Sequence, residues 1–107
     1  MCIRDRLTAY LTEAENRVSR LKALGTAGDW ATAGGEAHAL KGSSRTFGLV
    51  QLADLAARME DAAHGGDADG ARQALAGIRE HAPAALARLS AWMQSEAAVE
   101  VPQTTTG

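Results

Sequence analysis

Residues 29–60 read DWATAGGEAHALKGSSRTFGLVQLADLAARME, and the spacing of apolar side chains through them decides the fold. With Trp30 as a helical origin and about 100° per residue, Trp30, Ala33, Ala37, Leu40 and Phe47 gather on one side. That stripe predicts an amphipathic helix capped by Asp29 and running to about Phe47, with Gly48 as its C-terminal stop. Leu49, Leu52, Leu55, Ala56, Met59 and Ala63 form the next stripe, which ends at Gly65-Gly66. His38 falls roughly 140° from the centre of the first stripe, so its imidazole is expected in solvent. On the same face sit Gly34 and Gly35 one turn before it, Gly42 one turn after, and the cations Lys41 and Arg45. Each glycine inside a helix costs about 1 kcal/mol relative to alanine, and this chain uses alanine freely elsewhere. Side-chain bulk is therefore read as removed around the imidazole so that a second protein can come close. For Gly34-Gly35 the alternative is a helix start or a tight helix–helix contact.

The same periodicity extends to both sides. Leu7, Leu11, Ala14, Val18 and Leu21 predict a first helix ending near Gly25 and Gly28. Asp67 or Asp69 offers a cap for a fourth, striped by Ala71, Leu75, Ile78, Ala82, Leu86, Leu89 and Trp92 or Met93. Pro83 removes a backbone donor from that helix, so it is expected to be kinked or broken there; the stripe continues across the proline, which favours the kink. Short connections between amphipathic helices make neighbours antiparallel. The expected fold is all-α, an antiparallel up-down-up-down four-helix bundle over residues 7–96. Residues 97–107, with Pro102 and a run of threonines, read as a disordered C-terminal tail. Residues 1–6 read as an N-terminal extension of uncertain origin.

At 107 residues the chain has the length of one domain with one core. Alanine, leucine and glycine dominate and only four residues are aromatic, which suits helices packed through small side chains. The net charge of −2 comes from interleaved acids and bases, which argues against a nucleic-acid surface. No apolar run approaches the roughly 20 residues of a membrane span, and no stretch reads as a secretory signal. The lone Cys2 has no disulfide partner and no companion ligands at metal spacing. A soluble, cytoplasmic protein is expected, or the cytosolic part of a larger, membrane-anchored one.

The stretch Ala37-His38-Ala39-Leu40-Lys41-Gly42-Ser43-Ser44, followed by Phe47-Gly48, Leu52, Leu55 and Met59-Glu60, resembles the histidine-containing phosphotransfer (HPt) domains of bacterial phosphorelays. Gly28-Asp29-Trp30 also resembles the usual approach to the active helix, and the likeness spans about Leu7 to Met93. A histidine with lysine at +3, glycine at +4 and a second glycine ten positions on is its specific part; Gly34-Gly35 and Pro83 depart from the pattern. The resemblance implies a phosphoryl carrier without kinase activity. His38 would accept a phosphoryl group from a receiver-domain aspartate and pass it to another, and Lys41 would stabilise its charge. Gly42, Ser43, Arg45, Gly34 and Gly35 would support the site or partner docking. Implied partners are response-regulator receiver domains and a hybrid histidine kinase in cis or trans, met by a monomer. No cofactor is expected on this chain, and the Mg2+ for transfer would sit on the receiver.

The chemistry suits the residues on independent grounds. An imidazole in water is largely neutral, and so nucleophilic, near neutral pH. Phosphoryl transfer then needs positioning and stabilisation of charge on the equatorial oxygens, which nearby cations supply. His64, at a helix end beside glycines, and His81, near the apolar seam, lack the lysine–glycine surround and read as structural. Ser44 is expected to face the bundle and bond a carbonyl one turn back. Lys41-Gly42-Ser43 has the wrong order and context for a nucleotide-binding loop. The histidines fall on separate helices with no cysteine or carboxylate support expected, so no metal site is read. Two rival readings stand beside the relay: the phosphoacceptor (P1-like) domain of a chemotaxis-type histidine kinase, and a non-catalytic helical adaptor.

Overall fold

The computed structural model describes the backbone of residues 3–106 and the side chains of 4–95. Four helices follow one another: α1 (Ile3–Ala27), α2 (Trp30–Thr46), α3 (Val50–His64) and α4 (Ala68–Thr106), with no strand among the described residues. Each of the first three ends in the same way. At the end of α2 the Gly48 amide bonds the Arg45 carbonyl and the Leu49 amide bonds that of Ser44. This double bond pattern requires a left-handed residue, and Gly48 supplies it at φ 77°. Gly28 plays the same part before α2 at φ 74°. Starts are set by side chains: the Asp29 carboxylate accepts from the Thr32 amide at 3.2 Å, and Asp67 from the Gly70 amide at 2.9 Å.

These tight turns fold each helix back along its predecessor, and α1–α2, α2–α3, α3–α4 and α1–α4 pack as neighbours. The core lies between them. Tyr10, Ala14, Val18 and Leu21 of α1 meet Ala33, Ala37 and Leu40 of α2, Leu52, Ala56 and Met59 of α3, and Leu75, Ile78 and Leu86 of α4. Alanines supply much of this surface, which lets the backbones approach closely. Tyr10 pins the α1–α2 seam: its ring stacks on Phe47 at 4.7 Å and its hydroxyl shares a 3.0 Å hydrogen bond with Ser44. Ser44 thus faces the bundle as expected, but its partner is Tyr10 rather than a carbonyl one turn back. Glu36 adds ion pairs from α2 to Arg17 and Arg20 of α1.

The expected all-α four-helix bundle is the fold observed. α4 runs unbroken through Pro83, whose ring is exposed. The carbonyl that the missing donor leaves free can therefore bond water, which removes the main cost of a proline in mid-helix. Where a disordered tail was expected over 97–107, the backbone of α4 continues to Thr106; the side chains beyond Ser95, and Gly107 altogether, lie outside the described residues. At the other end α1 takes in Ile3–Arg6, so that part of the 1–6 extension is helical, while Met1 and Cys2 lie outside the described residues. Of the two candidates for the end of the core stripe, Trp92 is half-exposed and Met93 is partly buried, and Leu89 is the last α4 side chain packed against the core among the described residues.

Candidate functional site

His38 sits in the middle of α2, between Ala37 and Leu40, both fully buried. That clamp fixes the helix face, and the imidazole side chain is 67% exposed. Across the α2–α3 seam lies Glu60, whose side chain is only 11% exposed. One of its carboxylate oxygens, Oε2, is 2.7 Å from His38 Nδ1, and the other, Oε1, accepts from Lys41 Nζ at 2.7 Å. His38 and Lys41 stand one turn apart on α2, so a single carboxylate spans both.

The charge state of Glu60 decides what the histidine can do. The Lys41 ammonium is the main cause holding the carboxyl below the ordinary glutamate range; burial opposes this, and the contact with His38 adds to the lowering. An ionised carboxylate has no proton to give. Nδ1 must therefore be the donor in the His38–Glu60 bond, which leaves the lone pair of the neutral ring on Nε2. The result is an exposed imidazole oriented from behind through Nδ1, with Nε2 left without a partner among the described residues.

The residues singled out from the sequence turn out to be placed differently from one another. Gly35 and Gly42 are exposed, and a Cβ built on either meets nothing within 4 Å. Both keep the approach to the histidine clear. Gly34 does not: it is buried, and a Cβ there would lie 3.1 Å from that of Ala63. Its role is the tight α2–α3 contact, so it is not part of the docking surface. The hydroxyl of Ser43 donates within the helix to the carbonyls of Ala39 and Leu40. Arg45 is exposed in the last turn of α2 and makes no ion pair among the described residues. His64 is exposed at the end of α3 and His81 is half-buried on α4, and neither side chain makes a hydrogen bond or ion pair among the described residues.

Glu60 is the residue beside His38 that the sequence reading left unassigned, and the cationic surround has to be corrected for it. Lys41 is tethered and its charge balanced by Glu60, which leaves Arg45 as the cation of this helix face without an ion pair among the described residues. A signal for Glu60 did exist. In two antiparallel helices joined at Gly48, a residue ten before the turn faces those about ten to twelve after it. Glu60, beside Met59 and one turn past Ala56, is the carboxylate at that height on the packed side of α3. Among the described residues, no group of three or more histidines, cysteines, aspartates and glutamates could hold a metal ion. No helix among them is long and apolar enough to cross a membrane.

Comparison with known proteins agrees with this geometry. The family model of the Hpt domain matches residues 5–92 of the 107-residue chain. The chain belongs to the Hpt domain family, whose members serve histidine phosphotransfer in phosphorelays. The match ends close to Leu89, where α4 leaves the core. No individual curated protein and no solved structure is similar enough to the chain to register as a match.

Proposed function

We propose that the domain is a phosphorelay intermediate that carries a phosphoryl group on Nε2 of His38 between the aspartates of two receiver domains. The observation that carries this reading is the Glu60 carboxylate bonded to Nδ1 of an exposed imidazole. As the lone pair of Nε2 attacks the phosphorus of a receiver's aspartyl phosphate, the N–P bond forms and the bond to the aspartate oxygen breaks. The ring gains positive charge while its proton stays on Nδ1, facing the anionic Glu60, so no base is needed to remove it. Lys41, one turn away, stabilises the phosphoryl oxygens, and Arg45 meets the incoming partner. The reverse sequence delivers the group to the second receiver. Mg2+ belongs to the receiver in this scheme, and the domain supplies no nucleotide site of its own. It acts as a monomer in the cytoplasm, alone or joined to a hybrid histidine kinase. Docking is small and transient, because a carrier must leave one partner to meet the next.

The test is incubation with phosphorylated receivers of the source organism. Label should move to this chain as an acid-labile, alkali-stable adduct on Nε2, and His38→Gln should abolish it while leaving helical content and melting temperature nearly unchanged. Label accepted only from a kinase nucleotide-binding domain would favour the chemotaxis-type reading. No labelling from any donor would leave a helical adaptor. A collapse of the fold in His38→Gln would contradict the exposed-ring geometry.

A further inference from the structure

A second charged surface lies on the other side of the bundle. α1 and α4 pack as neighbours across from the α2–α3 seam that holds His38. Two clefts follow the groove between them. One, of about 460 Å3, is lined by Lys22, Trp30, Arg72, Leu75 and Arg79 among others, and no acidic residue lines it. The second, of about 210 Å3, runs past Val18, Ala82 and Leu86 and has one acid, Glu15. Lys22 and Arg79 line both, so the two clefts lie next to each other along the α1–α4 furrow. Its floor is apolar and closely fitted: a side chain at Gly25 would strike Leu75 at 2.6 Å.

The charge here is local, in a chain whose net charge is −2. Arg72 is already engaged, held by Asp69 at 2.8 Å and lying 5.5 Å from the centre of the Trp30 ring. Lys22 and Arg79 make no ion pair among the described residues. Size and shape narrow the occupant. From Arg72 to Leu86 the furrow follows α4 for about 21 Å at about 1.5 Å per residue. It is also open along its length, whereas small-molecule sites enclose most of their ligand. A small anion would fill only a fraction of it. A helix laid in a groove, with apolar anchors below and acids along its flank, fits both dimensions and charge.

We propose that the α1–α4 furrow is a docking surface for an acidic amphipathic helix of a partner protein. The acids lie toward Lys22, Arg79 and Trp30, and a neutral or basic end lies toward Glu15. An occupant there leaves His38 open on the opposite side, so the domain can be held at one surface while it exchanges phosphoryl groups at another. The docking itself is independent of the phosphotransfer reading; only this consequence rests on it.

The full chain, uniformly labelled with 15N, is titrated with a synthetic helical peptide of about 14 residues, the length matched to the furrow, carrying leucines on one face and glutamates beside them. A control peptide has glutamine for glutamate. Saturable shifts clustering on Lys22, Trp30 and Arg79, weakened at least about tenfold by the glutamine peptide or by Lys22→Glu with Arg79→Glu, support the proposal. Both positions are at the surface, and an unchanged helical spectrum checks that the double variant folds. The absence of saturable shifts at millimolar peptide overturns it, as do shifts centred on Lys41 and Arg45. Co-sedimentation with phosphatidylglycerol vesicles, abolished by the same charge reversal while the peptide fails to bind, would assign the surface to a membrane instead. Receiver-to-His38 transfer is followed separately with peptide bound. Its failure without peptide would count against the phosphotransfer reading, not the furrow.

Discussion

Glu60 is one carboxylate with two partners, and its substitution separates its two contributions. Glu60→Gln keeps the shape and an oxygen that can still accept from Nδ1, but not the negative charge. Replacing a charge-assisted bond by a neutral one removes about 1–2 kcal/mol, so receiver-to-His38 transfer should slow about 5- to 30-fold. Stability gives an independent reading with a definite sign. The folded-state carboxyl titrates below the ordinary range because Lys41 and His38 bond its ionised form. The stability it adds is therefore fully present above the ordinary glutamate range and is lost as pH falls through the lower, folded-state value. The melting-temperature gap between the parent chain and Glu60→Gln should be widest near neutral pH and close in acid; a gap that persists at pH 3 would point to packing rather than charge. Lys41→Ala tests the other arm. It should shorten the phosphohistidine lifetime about 5- to 30-fold, for a lost charge-assisted contact of about 1–2 kcal/mol, followed as loss of label over time. At this scale the sequence was legible for the exposed position of His38 with Lys41 and open Gly42 beside it, which lie within about one turn on one helix. Glu60 needed the α2–α3 pairing height, which no local period encodes.

At the scale of the element, α2 carries glycines on two faces, and for Gly34-Gly35 the sequence left clearance and tight helix contact both open. Gly34 and Gly42 are both about one turn from His38, yet Gly34 abuts Ala63 and Gly42 faces open space. Opposite outcomes are expected from the same change. Gly42→Leu should raise helix stability by up to about 1 kcal/mol, since a poor helix former is replaced by a good one at an exposed site. The same leucine should obstruct the receiver, lowering the transfer rate while the isolated domain melts higher. Gly34→Leu should do the reverse to stability: the side chain enters a filled seam and costs about 1–3 kcal/mol through overpacking. Thermal melts of the two variants side by side, with transfer assays on Gly42→Leu, check the assignment. Helix ends were legible for a related reason, because Gly28, Gly48 and Gly66 followed by a new stripe mark a stop whatever the tertiary context. Pro83 was legible in part: the apolar period continuing across it favoured a helix that is not broken, and α4 does run on through it.

For the whole molecule, stability resides in the layer where four helices share one core, and α4 outlasts that layer. The bundle could be read from the stripes because each helix is apolar on one side only and the connections are too short for any but antiparallel neighbours. Where the bundle stops was harder to read, because Trp92 continues the apolar period beyond the last packed position. The contacts place that limit: Leu86 is buried and Leu89 packs on the core, whereas Trp92 is 50% exposed. The last described link to another helix is the 3.7 Å contact from the Thr8 hydroxyl to the Met93 sulfur. A chain ending after Ser95 keeps all of these. Its unfolding free energy should stay within about 0.5 kcal/mol of the parent, which for a domain of this size is a melting-temperature change of about 2–4 °C. A chain ending after Pro83 loses Leu86 and Leu89 together. Deleting buried Leu86 costs about 2–5 kcal/mol and losing the partly buried Leu89 adds to it, a sum comparable with the lower part of the 5–15 kcal/mol that separates folded from unfolded domains. That variant should show little cooperative melting by circular dichroism. If the Ser95 truncation instead melts about 10 °C or more below the parent, the far end of α4 contributes to the bundle, and the limit at Leu89 is misplaced.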